Sequence, residues 1–168
     1  LELSIPNFDK SKEAAEKAAI LSPNLARTQS VLGFANLTRI DIKAAKQCFN
    51  RAIELDQADP LPRLGLGLAT IREGKLEQGR EQIEIAASLD PENSLIRSYL
   101  GKAYYEERRD DNAATQFGLA KERDPKDPTP YFYDAIRKQA GNSPVHALQD
   151  MEKSIELNDN RAVRRSRL

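Results

Sequence analysis

Catalysis by a single chain needs a nucleophile beside a base, a carboxylate pair at working distance, or a ligand set for a metal. Few residues here qualify. His146 is the single histidine and follows Pro144-Val145. It is far in sequence from any cysteine and falls in a solvent-facing turn, so it is expected to be a surface residue rather than a catalyst. Cys48, the single cysteine, excludes an internal disulfide framework and a thiolate zinc site. Next to Phe49 on a packing helix, it is expected to be an idle or structural thiol. Glu106, Glu107, Asp110 and Asp111 surround Arg108 and Arg109, a mixed-sign cluster typical of a solvated turn rather than a metal cage. Arg161, Arg164, Arg165 and Arg167 could touch phosphates, but no aromatic stands among them to stack a base. Phosphate-cradling glycine loops, metal-ligand spacings and nucleophile–base pairs are all missing from the sequence. The chain is therefore expected to be no enzyme and to take no metal and no cofactor.

The totals point the same way. Lys plus Arg (26) cancels Asp plus Glu (26) in 168 residues, so no overall field draws nucleic acid or an anionic membrane. A charged fraction of 31% against 39% hydrophobic implies a surface-rich single domain rather than a compact two-domain enzyme. No apolar run approaches the roughly 18 residues that span a bilayer, and no basic-then-apolar signal peptide opens the chain. A soluble protein is expected.

What could position recognition residues is a repeat. Leu32-Gly33, Leu66-Gly67 and Leu100-Gly101 recur at intervals of 34 residues, and Asp134-Ala135 falls on the next step. Ala52, Ala86, Ala120 and Ser154 follow in phase, each three residues after a bulky side chain: Phe49, Ile83, Phe117 and Met151. Segments 52–56, 86–91, 120–125 and 154–158 are variants of one another, with a fifth copy at Ala18-Ala19-Ile20-Leu21-Ser22-Pro23. Pro60, Pro62, Pro128 and Pro130 are tolerated only near helix starts, and Asp56, Asp90, Asp124 and Asn158 precede the breaks. Each unit reads helix, turn, helix. A small residue lets two helix backbones approach while a bulky neighbour one turn away fills the space between units, and stacked neighbours supply cover that no hairpin has alone.

This pattern resembles the tetratricopeptide repeat (TPR) family over nearly the whole chain. The match is specific at Gly33, Gly67, Gly101, Ala45, Ala113, Ala147, Phe49, Phe117, Pro91 and Pro125. It departs at Gly79, which stands where Ala45 and Ala113 stand, and in lacking the family's frequent first-helix tryptophan. The resemblance implies an all-α fold, a right-handed superhelical solenoid of antiparallel helix pairs. Helices are expected at about 10–21, 26–38, 42–55, 60–73, 76–88, 94–107, 110–123, 128–140, 144–157 and 161 onward. The whole of 1–168 then forms one array. Residues 1–25 are the second helix of a partial repeat, 26–59, 60–93, 94–127 and 128–161 are repeats one to four, and 162–168 start a truncated one. The chain reads as a piece of a longer, bacterial protein whose array continues in both directions.

In this family the first helices line a concave surface that holds a peptide or helix, and an i, i+3, i+7, i+10 arc picks out the residues there. The stripes are Arg27, Ser30, Phe34 and Leu37; Leu61, Leu64, Leu68 and Ile71; Leu95, Ser98, Lys102 and Tyr105; and Thr129, Phe132, Ile136 and Gln139. The floor is apolar with polar margins, so the expected partner is another protein offering Leu, Ile, Phe or Met side chains. The alternative is that a tightly wound array covers this stripe with its own helices. Capture of a terminal carboxylate, another mode of the family, is not expected, because Ser30, Phe34, Leu64 and Leu68 replace the cations and amides of that clamp. Two further classes compete: a self-associating scaffold using the uncapped ends, and a substrate-recruiting segment of a larger multidomain protein. The sequence leaves the compartment open. Analogy with the family favours the bacterial envelope over the cytoplasm.

Overall fold

In a computed structural model that describes Glu13, Lys17 and residues 25–165, eight α-helices follow one another from Ala26. They are α1 Ala26–Thr38, α2 Ile42–Leu55, α3 Pro60–Arg72, α4 Leu76–Leu89, α5 Ser94–Glu106, α6 Asp110–Arg123, α7 Pro128–Ala140 and α8 Pro144–Arg165. Among the described residues none lies in a strand. The chain forms two compact units, residues 1–89 with α1 to α4 and residues 90–168 with α5 to α8. Each unit holds two helical hairpins, α1–α2 and α3–α4 in the first, α5–α6 and α7–α8 in the second. The helix expected over 10–21 and the copy at 18–23 lie outside the described residues but for Glu13 and Lys17.

Four hairpin turns close in one way. Ile40, Gly74, Arg108 and Asn142, again 34 residues apart, take φ of 65°, 85°, 62° and 60°. The amide after each reaches back five residues: Asp41 N–H to Asn36 O (3.0 Å), Lys75 to Thr70 (3.2 Å), Arg109 to Tyr104 (2.9 Å) and Ser143 to Lys138 (2.9 Å). This left-handed residue with its 6→1 bond satisfies carbonyls that the helix end leaves orphaned. Gly and Asn enter that region readily; a β-branched side chain does not. Ile40 is 75% exposed and so has little burial to lose. Ile40→Gly is therefore expected to stabilise the chain by about 0.5–1 kcal/mol, the left-handed penalty less glycine's extra unfolded-state entropy. A higher urea midpoint at unchanged slope is the readout, with Ile40→Val as a control that gains nothing.

The connections between hairpins use side-chain caps. Asp59 accepts from Leu61 N–H (2.9 Å), Asn93 from Ile96 (3.2 Å) and Asp127 from Thr129 (3.0 Å), with Pro60 and Pro128 at the first helical position. The break expected at Asn158 does not occur: α8 runs on to Arg165. The reason lies in the chain. Proline follows at 60, 91 and 125 in the other repeats, whereas Asn158-Asp159-Asn160-Arg161 contains no residue that forbids helix.

Packing explains both the small residues and the exception at Gly79. In the first unit Phe49 is buried between α1 and α3, and a Cβ at Gly33 or Gly65 would stand 2.6 or 2.3 Å from its ring. α3 and α4 meet backbone to backbone: a Cβ on Gly79 would lie 2.7 Å from the Gly67 carbonyl oxygen, and one on Gly67 2.6 Å from that of Gly79. Alanine stands at 45 and 113, and in those hairpins a Cβ on Gly33 or Gly101 would first meet the ring of Phe49 or Phe117. In the second unit Phe117 rests on Gly101, whose Cβ would stand 2.6 Å from the ring, among buried Ile96, Leu100, Ala113 and Ala120.

Candidate partner-binding faces

The first helix of each hairpin carries the expected stripe, and its members divide by depth. Leu61 and Leu95, at one register 34 residues apart, are 42% and 40% exposed. Phe132, Ile136, Arg27 and Gln139 are also exposed, while Phe34, Leu68, Ile71, Lys102, Tyr105 and Thr129 are half-buried. Ser30, Leu37, Leu64 and Ser98 are buried. Those four are withdrawn from solvent, which leaves the other members of the stripe as the surface open to a partner. Ser30 and Ser98 spend their hydroxyls on the carbonyls of Ala26 (3.0 Å) and Ser94 (2.8 Å), four residues back. Leu37 belongs to the core around Phe49. A stripe four residues long curves from the solvent side toward the packed side of its helix.

Local contacts fix the orientation of what remains. Phe34 meets Phe49 edge-on with centroids 4.9 Å apart. Thr129 gives both its N–H and its hydroxyl to Asp127, so it serves as a cap before it can serve a ligand. In the second unit α5 and α7 bring aromatic rings together: Tyr99 lies 5.9 Å from Tyr133, and Phe132 stands edge-on to Tyr133 at 5.3 Å. Lys102 bonds Glu106 and reaches to 6.0 Å from the Tyr133 ring. Burial first, then Tyr99 and Glu106, push the Tyr133 hydroxyl up to about 12.

The period did not reveal a charged network in the second unit. Asp134 is buried, and its oxygens accept from Lys121 (2.6 Å) and Arg137 (2.8 Å), with Lys138 at 3.1 Å. Asp150 accepts from Lys121 (2.9 Å) and Lys138 (2.5 Å), and Asp110 from Arg137 (2.8 Å). Burial would raise the Asp134 carboxyl, but the bonds from Lys121, Arg137 and Lys138 overcome it and hold the group at about 2. The sequence does carry a signal of it, since Asp134 occupies the step taken by Leu32, Leu66 and Leu100. Two helix-pair bridges also escape the periodicity, Arg63 to Gln82 (2.9 Å) and Arg97 to Gln116 (3.0 Å), themselves one period apart.

The residues with chemical capacity stay apart. His146 is exposed, and no group of His, Cys, Asp and Glu able to hold a metal occurs among the described residues. Cys48 is half-buried. Burial pushes its thiol up, against the Asn36 amide that donates to the sulfur at 3.7 Å, so the thiol stays protonated and weakly nucleophilic. Tyr104 is buried under Arg109, whose guanidinium lies 4.8 Å from the ring.

Residues 32–59, most of one step of the 34-residue repeat, match the family model of the tetratricopeptide repeat. The chain has the fold of a tetratricopeptide repeat array. Solved TPR structures share its fold. TTC0263, a thermophilic TPR protein of Thermus thermophilus, superposes with a TM-score of 0.85 at 16% identity, over 95% of this chain and 88% of that one. MamA gives 0.69 at 18% identity, over 93% and 91%. YrrB, described as a TPR protein with an unusual peptide-binding site, gives 0.63 at 18% identity, over 98% and 86%. No curated protein matches in sequence. At these identities the likeness is one of fold: all-α, helix pairs, the 34-residue unit. No helix among the described residues is long and apolar enough to cross a membrane.

Proposed function

We propose that the repeats bind another protein, holding an apolar peptide or amphipathic helix against the exposed members of the first-helix stripes. The observation that carries this reading is the repetition of a solvent-facing leucine, Leu61 in the first unit and Leu95 in the second, with half-buried Leu68 and Ile71 further along the same helix in one and Tyr105 in the other. A globular surface has no need to expose leucine twice at one register, and a ligand that removes such side chains from water gains about 1 kcal/mol from each, half the value for full burial. Arg27, Lys102 and Gln139 supply a polar margin that fixes orientation more than affinity. The peptide-binding site noted for YrrB is consistent with a TPR fold used in this way.

Selection from a displayed peptide library is expected to enrich sequences with Leu, Ile, Phe or Met at i, i+3/i+4 and i+7. Leu61→Glu and Leu95→Glu, made separately, are each expected to weaken the peptides selected by their own unit at least ~5-fold at unchanged melting temperature. Both sites are open enough to accept the change, unlike buried Leu64, whose replacement would report on folding instead. Undiminished affinity in both variants would remove the stripe from the binding site.

A further inference from the structure

We infer that the second unit selects peptides carrying an aspartate or glutamate near their apolar anchor, and that Lys102 is the residue that reads the acid. This rests on the peptide-binding reading and names the class of peptide. Lys102 stands at the stripe register that Phe34, Leu68 and Ile136 fill in the other hairpins. It lies seven residues beyond exposed Leu95, so the two share one face of α5 about 10.5 Å apart along the helix. A peptide that seats an apolar side chain on Leu95 and follows α5 therefore passes Lys102.

Which atoms remain open decides the polarity of the ligand. Lys102 donates one N–H to Glu106, and its ammonium stands 6.0 Å from the centroid of the Tyr133 ring. An ammonium has three donors, and the other two have no protein partner among the described residues. The side chain is 30% exposed, so those donors can be reached from solvent. Glu106 offers a ligand nothing comparable. Its Oε1 is taken by Lys102, and its Oε2 is sealed from solvent and accepts no hydrogen bond among the described residues. No other residue of the α5 and α7 stripes is charged, so the charge a ligand meets on this face is positive. A second carboxylate is compatible with Glu106, because the unit already holds one ammonium between two: Lys121 donates to Asp134 at 2.6 Å and to Asp150 at 2.9 Å. An acidic side chain of the peptide would complete the same arrangement at Lys102. The tether to Glu106 has already restricted the lysine, so less side-chain entropy is lost when the charge-assisted bond forms.

The test uses C-terminally amidated peptides from a displayed library selected on the 168-residue chain, kept where Leu95→Glu weakens them. Each acidic residue is exchanged for its amide, Glu for Gln or Asp for Asn, and both forms are titrated calorimetrically into wild type and Lys102→Met. Wild type is expected to prefer the acidic peptide over its amide by about fivefold, less at high salt, and Lys102→Met to bind the two alike. Each comparison is made within one protein, so a general loosening of the fold cancels. Should Lys102→Met alter helicity by circular dichroism, Lys102→Gln repeats the experiment. Amidation removes the terminal carboxylate, so the acid that is read is a side chain. Leu95-dependent peptides without acidic residues, an acid-to-amide ratio near one in wild type, or a preference that persists in Lys102→Met would each overturn the inference and leave the peptide-binding reading standing. The absence of any Leu95-dependent peptide would overturn both.

Discussion

Asp134→Ala is expected to destabilise the chain by about 3 kcal/mol, whereas Asp134→Leu is expected to cost at least ~1 kcal/mol less. The difference separates a charge that is buried for stability from one that is tolerated because it is paired. Alanine removes the carboxylate that Lys121, Arg137 and Lys138 share and leaves a cavity in its place. The loss stays at the low end for a broken buried network, because Asp150 still accepts from Lys121 and Lys138 and Asp110 still accepts from Arg137. Leucine restores the residue that Leu32, Leu66 and Leu100 place at this register, trading the ion pairs for packing. The pH dependence carries a definite sign. Asp134 titrates at about 2 in the folded chain, below the ordinary aspartate value, so its contribution is fully present above the unfolded value near ~3.9. It is lost as pH falls from there through about 2. Urea midpoints at pH 7, 4 and 2.5 should show the wild type losing stability across the acid range more steeply than Asp134→Leu. Parallel curves would mean that the network does not hold the carboxyl down.

Why the period revealed the helices yet missed this network follows from what each depends on. Helix positions rest on local signals, the in-phase Gly and Ala, Pro60, Pro62, Pro128 and Pro130 near helix starts and Asp56, Asp90 and Asp124 before the breaks, and seven helices from Ala26 to Ala140 lie within a residue or so of the expected ends. α8 runs past Asn158 because asparagine without proline or glycine after it does not force a stop. Gly79 was visible as a departure, but its cause, a backbone crossing with Gly67, needs two helices in space. The stripe suffered in the same way. A single-helix arc tells which residues share a face; only the neighbouring helix tells that Ser30, Leu64 and Ser98 are covered while Leu61, Leu95 and Phe132 are not. The left-handed Ile40 and Arg108 were illegible for a different reason, since neither residue type announces that conformation and only their phase with Gly74 and Asn142 gives it away.

Phe49→Ala is expected to be the most destabilising single truncation in the first unit, at about 4 kcal/mol. The ring is fully buried and is held between two helices that approach it through bare backbone, Gly33 on α1 and Gly65 on α3. Glycine walls have no side chains with which to refill a void, so the cavity persists unless the helices themselves move, and the cost should fall toward the upper part of the range for aromatic truncations. The converse changes test the same fit from the other side. Gly65→Ala puts a methyl where the ring already stands and is expected to cost about 1–3 kcal/mol through overpacking. Combined with Phe49→Leu, which vacates part of that space, Gly65→Ala should cost less than the sum of the two single changes, by at least ~1 kcal/mol in a double-mutant cycle. Chemical denaturation of the four proteins supplies the cycle. A coupling energy near zero would mean that Phe49 and Gly65 do not share one cavity, and the size rule read from the repeat would then fail at the position where it is most sharply drawn.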